Sequence, residues 1–148
     1  RAAPMLGAAA FFHDAIYDPR RGDNEAASSL LARQQLDNVG VAEPEIETVC
    51  RVIEATASHQ ANGDEVTELF LDADLAILGS GAATYDWYAG AIRAEYGHMS
   101  DEAFRSGRAS VLRGFLDRAE IFLTIPGRAQ FEEQARSNLL QELATLGG

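Results

Sequence analysis

Apolar residues recur along most of the chain at the spacing of helices rather than of strands. The clearest run places apolar side chains at positions i, i+3, i+4 and i+7, namely at Ile46, Val49, Cys50 and Ile53. This is the pattern of an amphipathic helix with one buried face. No alternating run of β-branched residues accompanies it. The sequence therefore predicts an all-α fold of about six or seven helices.

Caps and breaks divide this pattern into separate helices. Pro4 suits the first turn of a helix that we expect to reach Tyr17, and the segment DPRRG at 18–22 reads as a loop. Asp23 is placed to cap a second helix that ends near Gly40. Further helices are predicted to begin at Pro44, after Asp64, near Thr84, after Ser100 and after Pro126-Gly127.

The last helix carries a second apolar stripe, formed by Phe131, Ala135, Leu139 and Leu143, and Gly147-Gly148 ends it. The breaks between helices are short, and no linker or internal repeat separates them. With 148 residues, the chain has the length of one domain, so we expect a single helical bundle over 1–148.

Composition and charge indicate which kinds of binding partner this chain is expected to lack. The net charge is −11, with 23 acidic residues against 12 basic ones, and every basic residue is arginine. A chain this acidic repels phosphate backbones, so we expect no nucleic-acid partner. No apolar run is long enough for a membrane span, and the lone Cys50 reads as a small core residue of a reduced, cytoplasmic protein.

Two polar residues follow an apolar run near the start of the chain. His13 and Asp14 come directly after the segment AAAFF, and no charged residue lies three or four positions from His13. Asp74 resembles them, because large apolar residues flank it at the same helical spacings, whereas Asp72 has Glu68 nearby and is expected nearer a rim.

An unpaired carboxylate on such a face costs several kcal/mol or takes up a proton. Imidazole and carboxylate together suit a divalent transition metal or Mg²⁺. The plainer alternative is that an aspartate caps a neighbouring helix and a core histidine is satisfied by ordinary hydrogen bonds. His59, after a helix end, is either a partner of that helix terminus or points into a cleft.

The doublet His13-Asp14, followed at a distance by Asp74 in DADLAILG, resembles the HD superfamily of metal-dependent phosphohydrolases. The segments FHDAIYDPRRGDNE, FLDADLAILG, IRAEY and GRASVLRGFLDRAEIF are similar to a bacterial subgroup predicted to be metal-dependent HD phosphohydrolases. The likeness covers essentially the whole chain. It implies an all-helical HD-type domain and a hydrolase, but it specifies no substrate.

The resemblance also implies a set of site residues. His13, Asp14 and Asp74 would be ligands of one divalent ion (Mn, Mg, Fe, Co, Ni or Zn), with Asp72 in support. Asp18 would orient the attacking water if the helix continues past Asp14.

Four further residues complete that set. His59 matches a downstream histidine that contacts phosphate or a second metal in other HD proteins. Arg20, Arg21 and Arg93 are candidates for contacts to the substrate phosphate, because guanidinium matches phosphate oxygens bidentately. For each arginine taken singly, a solvated surface charge is the plainer reading.

One part of the family pattern is absent. The first histidine of the family lies on an earlier helix, and none of the 12 residues before His13 is histidine. Arg1 in place of Met favours a chain that lacks its N-terminal helix. We therefore expect weakened metal binding, or an empty site, in the chain as given.

Three functions remain open at this point. The first is a hydrolase of a small phosphate ester such as a nucleotide, through a metal-activated water. The second is a non-catalytic helical module for ligand sensing or protein interaction, with an incomplete metal site. The third is a di-iron oxygenase, which needs more histidines than this chain has. Homo-oligomerisation is left open. We expect Tyr85, Trp87 and Tyr88 to form an aromatic cluster of the core and not a base-stacking platform, with the Trp87 face buried either in this chain or against another copy.

Overall fold

A computed structural model describes residues 2–147, so Arg1 and Gly148, on which two of the sequence expectations depend, lie outside the described residues. Within this range the chain forms seven α-helices and one 3-10 helix and contains no strand. The all-α prediction and the expected number of helices are confirmed. No helix among the described residues is both long enough and apolar enough to cross a membrane.

The chain divides into two compact units, Arg1–Leu71 and Asp72–Gly148. Unit 1 contains α1 (Ala2–Phe12), α2 (Asn24–Asn38), α3 (Glu43–Ala55) and most of α4 (Glu65–Asp74). Unit 2 contains the end of α4, the 3-10 helix (Leu75–Gly79), α5 (Ala82–Glu95), α6 (Asp101–Leu116) and α7 (Ile125–Thr145).

The core of unit 1 is built from the apolar faces of its helices. All four residues of the predicted stripe on α3 are buried, Cys50 among them as expected. Two of the four, Val49 and Ile53, belong to the apolar cluster of this unit. The other members of that cluster are Ala9, Ala32, Val52 and Phe70. Gly40 has a φ of +80° after α2, and the N–H groups of Gly40 and Val41 donate to the carbonyls of Asp37 and Leu36. That is the glycine-ended helix stop that the sequence predicts.

The core of unit 2 forms where α7 packs against the 3-10 helix. A cluster of buried apolar residues in this unit is formed by Leu75, Leu78, Tyr85, Leu112, Ile121, Phe122, Ala135 and Leu139. Gly79 permits the close approach, because a Cβ there would lie only 2.6 Å from Phe131 Cβ. The buried Asn138 amide donates to the carbonyls of Leu78 and Ser80, each at 2.8 Å.

Two helix caps match the sequence and one does not. The Ser100 hydroxyl accepts the Ala103 N–H at 3.3 Å, and Asp64 accepts the Thr67 N–H at 3.0 Å. Asp23 precedes α2 as predicted, but its carboxylate makes no capping hydrogen bond. It pairs instead with Arg21, two residues earlier.

The first helix and the aromatic cluster also differ from the prediction. Helix α1 ends at Phe12 instead of continuing to Tyr17. Tyr85 is buried and its ring lies 5.7 Å from that of Tyr88, but Trp87 on the same helix is 73% exposed. Trp87 points away because a residue two positions from Tyr85 lies about 200° around a helix.

Candidate functional site

The sequence-predicted doublet lies in the turn that ends α1. The backbone N–H of His13 still donates to the Ala9 carbonyl at 2.8 Å, as in a helix. The side-chain atoms His13 Nε2 and Asp14 Oδ2 are 3.3 Å apart. The His13 side chain is 22% exposed and that of Asp14 is 71% exposed, so the pair lies at the surface of unit 1 and not deep in its core.

The hydrogen bonding of His13 fixes the chemistry of its ring. Nδ1 lies 2.9 Å from the Ala10 carbonyl oxygen, which can only accept, so Nδ1 carries the proton. In the neutral form of the ring, Nε2 would then present a lone pair, the arrangement that metal-binding histidines adopt. The ring makes a T-shaped contact with Phe70, with the centroids 5.7 Å apart and an angle of 79° between the planes.

This geometry places two electron-pair donors side by side. The lone pair on His13 Nε2 and the carboxylate oxygen of Asp14 repel each other at 3.3 Å unless a cation, either a proton or a metal ion, lies close to both. Imidazole nitrogen and carboxylate oxygen are donors that divalent transition metals accept. The chemistry of this pair therefore fits a divalent cation.

Two buried polar residues on α2 hold the backbone that follows the doublet. The Ser28 hydroxyl accepts the Ile16 N–H at 3.0 Å and donates to the Ile16 carbonyl at 3.2 Å. The Asn24 amide accepts the Asp18 N–H at 3.1 Å and donates to the Asp18 carbonyl at 2.9 Å. Asn24 and Ser28 lie one turn apart on one face of the helix, and we call them the α2 clamp.

The α2 clamp explains why α1 ends early. In a longer helix the Ile16 N–H would bond to the Phe12 carbonyl, but Ser28 takes it instead. The premise that Asp18 lies on the same helical face as Asp14 is therefore wrong. The clamp was not predicted from the sequence. The signal that could have indicated it is a pair of small polar residues at i and i+4, at the start of a helix that follows a loop.

Asp18 and the two loop arginines form ion pairs within the loop. Arg20 donates to both oxygens of Asp18, at 3.0 Å each, and Arg21 donates to both oxygens of Asp23, at 2.8 and 2.9 Å. Hydrogen bonds from Arg20 lower the pKa of Asp18 to about 2. Arg21 likewise lowers the pKa of Asp23. A phosphate at this loop would compete with these carboxylates for the guanidinium groups.

His59 follows the end of α3 in an uncommon backbone conformation. Its N–H donates to the Ala55 carbonyl at 2.8 Å, and its φ is +51°. A left-handed conformation at a residue other than glycine is energetically unfavourable, and histidine is among the residues that adopt it more readily. His59 is partly buried.

Asp72 is buried, and the expectation that it lies near a rim is wrong. Its carboxylate is 5% exposed and accepts three hydrogen bonds, from Leu123 N at 2.6 Å, Thr124 N at 2.8 Å and Thr124 Oγ1 at 2.6 Å. Gly127 completes this contact, because a Cβ there would collide with an oxygen of Asp72. The side chain fixes the start of α7, which is what the plainer reading of a buried aspartate proposes.

Asp74 and Arg93 complete the placement of the predicted residues. Asp74 is the last residue of α4 and is partly exposed, so it is less enclosed than its apolar sequence neighbours suggest. Arg93 lies on α5, donates to Asp101 at 2.6 Å and stacks on Phe104. Both residues belong to unit 2, whereas His13, Asp14, Asp18, His59, Arg20 and Arg21 belong to unit 1.

Within residues 2–147 no three His, Cys, Asp or Glu side chains are grouped so that together they could hold a metal ion. The structure does bring His13 to Asp14, Asp18 to Arg20 and Arg21 to Asp23. Comparison of the chain with protein-family models, with curated proteins and with solved structures gives no match.

Proposed function

We propose that the His13–Asp14 pair belongs to the metal site of a phosphohydrolase that acts on a small phosphate ester such as a nucleotide. One observation carries the proposal. Nε2 of His13 lies 3.3 Å from an oxygen of Asp14, a separation at which one cation can bind both atoms. The resemblance to HD phosphohydrolases supplies the reaction class.

The chain's own residues have distinct roles in this proposal. His13 and Asp14 bind the ion, and the hydrogen bond from Nδ1 to Ala10 holds the ring in the metal-binding tautomer. A divalent ion bound there would lower the pKa of a bound water and neutralise charge on a phosphoryl oxygen. The resemblance adds Asp74 as a ligand, with Asp72 in support, and these assignments are predictions that variants can test.

The loop after the doublet is the proposed phosphate region. Arg20 and Arg21 are paired with Asp18 and Asp23, so a substrate phosphate would have to replace these carboxylates. Guanidinium binds phosphate bidentately, as it binds carboxylate, so the exchange conserves the number of hydrogen bonds. Release of Asp18 from Arg20 would free its carboxylate to orient water, the role that the resemblance assigns to it. His59 remains a candidate contact to phosphate.

Mn²⁺ titration followed by NMR tests the metal site first. Mn²⁺ broadens nuclear resonances close to its binding site, so the amides of residues 9–18 should broaden before those of α6. Asp14→Asn should weaken the broadening at least tenfold in Mn²⁺ concentration. Asp37→Asn, an exposed aspartate on α2, is the matched control and should leave it unchanged.

The outcomes separate the two functions. Selective broadening together with Mn²⁺-dependent hydrolysis of a nucleoside monophosphate, lost in Asp14→Asn, supports the phosphohydrolase. Selective broadening without hydrolysis of any phosphate ester supports a non-catalytic module. Uniform broadening that Asp14→Asn does not change would overturn the proposal. Asp74→Asn, compared with Asp86→Asn, then tests whether Asp74 is a ligand.

A further inference from the structure

Unit 2 contains a cavity that the proposed function does not use. Its volume is 290 Å³, and it is lined by side chains from α5, the first half of α6 and the end of α7. This volume is at the lower end of the range for small-molecule sites. The apolar part of its wall comes from Ala89, Phe104 and Leu146. The remaining lining is mostly charged. The pairing of these charges indicates which charge a ligand would need.

Both carboxylates at the cavity are already neutralised. Glu142 accepts two hydrogen bonds from Arg108, at 2.7 and 3.0 Å, and a third from the Tyr85 hydroxyl. The Arg108 and Glu142 side chains are only 9% and 10% exposed, and Glu142 is the member of this pair that lines the cavity. Asp101 accepts a hydrogen bond from Arg93 at 2.6 Å. A cationic ligand would therefore find no carboxylate without a partner.

Three backbone acceptors near the cavity are occupied as well. Helix C-termini present unpaired carbonyls that attract cations. Arg93 fills two carbonyls beyond the end of α5, those of Tyr96 at 3.1 Å and Met99 at 3.5 Å. The Thr145 hydroxyl donates to the Glu142 carbonyl at 2.7 Å in the last turn of α7.

Arg105 is the strong donor that remains. It lies on α6 and lines the cavity, and it makes no hydrogen bond and no ion pair with any residue between 2 and 147. Its charge acts on Asp101 only through longer-range attraction. Each of the two carboxylates in the lining already has its own arginine partner, so the charge of Arg105 is left over. This surplus positive charge lies in a chain whose net charge is −11.

We propose that this cavity binds a small organic monoanion whose charged group pairs with Arg105 and whose apolar part lies against Phe104 and Leu146. A carboxylate is the simplest such group, because the guanidinium fork binds it bidentately. The Phe104 ring already carries the Arg93 guanidinium, 4.8 Å from its centroid. The aromatic and aliphatic walls favour an apolar part over a fully polar anion such as inorganic phosphate.

Three probes of equal shape test the charge requirement. Benzoate, benzamide and benzamidine share one ring and differ only in carrying a negative, neutral or positive group. Binding is followed by amide chemical-shift changes in ¹H–¹⁵N spectra of the intact chain. Benzoate should shift the amides of Phe104, Arg105 and Leu146, with a dissociation constant in the millimolar range that suits so small a ligand. Benzamidine should bind at least tenfold more weakly.

Variants of exposed arginines test the assigned donor. Arg105→Ala should weaken benzoate binding at least tenfold, and Arg105→Lys should retain part of it, because the charge remains and the fork is lost. Arg113→Ala, an exposed arginine on the same helix, is the control and should change nothing. Equal binding of the three probes, no benzoate binding at millimolar concentration, or equal loss in both alanine variants would overturn the proposal. None of these readouts depends on metal or on His13.

Discussion

The loop before α2 and the loop before α7 are both held by side chains that bond to their backbone, but the two sets of side chains are of opposite kinds. In unit 1, the neutral side chains of Ser28 and Asn24 each donate to and accept from one backbone residue. In unit 2, two carboxylates accept four consecutive backbone N–H groups. Glu132 takes those of Ile121 and Phe122, and Asp72 takes those of Leu123 and Thr124.

The difference follows from what each side chain can do. An amide or a hydroxyl both donates and accepts, so one residue satisfies both polar groups of a backbone unit. A carboxylate only accepts and a guanidinium only donates. Unit 2 therefore needs Arg136 to fill the carbonyls of Leu116, Arg118 and Ala119, at 2.8–3.1 Å.

The same contrast extends through both units. Among the described residues, the buried polar side chains of unit 1 are Asn24, Ser28, Ser29, Thr56 and Thr67, and none of them is charged. Its ion pairs lie at the surface, as in Arg20–Asp18 with 73% and 33% exposure. Unit 2 buries the Arg108–Glu142 pair and Asp72. Unit 2 should thus suffer most from loss of a charge, and unit 1 from loss of a hydrogen bond.

The largest effect is expected when the buried ion pair of unit 2 loses one charge. Glu142→Gln leaves the Arg108 guanidinium buried without its counter-charge, which should lower the free energy of unfolding by about 3–5 kcal/mol. Denaturant unfolding measures this value. Glu133→Gln, on the exposed face of α7, should stay within about 0.5 kcal/mol of the wild type. If the two variants are equally stable, the buried charges do not hold unit 2 together.

A smaller loss is expected at the carboxylate that anchors α7. Asp72→Asn places an NH₂ donor against N–H groups that need an acceptor, so at least one of them loses its partner. The expected loss in the free energy of unfolding is about 2–3 kcal/mol. Amide hydrogen exchange at Leu123 and Thr124 should accelerate as well. Asp86→Asn, an exposed site on α5, should alter neither quantity, and unchanged exchange in Asp72→Asn would contradict the assigned anchor.

The α2 clamp of unit 1 should contribute less to the free energy of unfolding than the charged anchors of unit 2, and its contribution should not depend on salt. Ser28→Ala removes two hydrogen bonds to Ile16, with an expected loss of about 1–2 kcal/mol in the free energy of unfolding. That loss should be the same at low and high ionic strength, because no charge is involved. Ser106→Ala on the exposed face of α6 is the control. A salt-dependent loss in Ser28→Ala would break the contrast between the units.

The smallest effect concerns the surface pair of Asp18 and Arg20. The pKa of Asp18 is about 2 in the folded chain, against an ordinary value of 3.8, and Arg20→Gln should raise it toward that value. Because the folded-state pKa is the lower one, the pair stabilises the fold above pH 3.8, and this contribution disappears as the pH falls toward 2.

Carboxyl ¹³C shifts followed through a pH titration measure the pKa of Asp18. Arg33→Gln is the control, since Arg33 pairs with Glu43 elsewhere in unit 1. An unchanged Asp18 titration in Arg20→Gln would show that another group sets its pKa.

The sequence predicted most of the fold because most of its determinants are local. Helical periodicity located α3 and the stripe on α7, and Ser100, Asp64 and Gly40 marked helix ends where their caps are found. The end of α1 was missed because Ser28, 12 residues further along, takes the Ile16 N–H. A helix signal read from α1 alone contains nothing about that competitor.

At the candidate site, too, the features that depend on residues distant along the chain could not be predicted. His13 and Asp14 are neighbours in the chain, so their proximity is predictable, but the hydrogen bond that sets the tautomer depends on where α1 ends. Asp72 was misplaced because its neighbours three and four residues away include Glu68, whereas its burial is decided by Leu123 and Thr124. Charge pairing in the loop, such as Asp18 with Arg20, depends on rotamers that residue order does not encode.

The distance along the chain between Asp72 and its partners has a consequence during synthesis. Both contacts of the α2 clamp close over short segments, 6 and 12 residues, and such loops form in about 10–100 ns. The hydrogen bond from Leu123 to Asp72 can form only after 51 further residues have been added. At about 5–20 residues per second on the ribosome, that wait is roughly 3–10 s. Both partners of each clamp contact have therefore been synthesised before the ribosome reaches the start of α7.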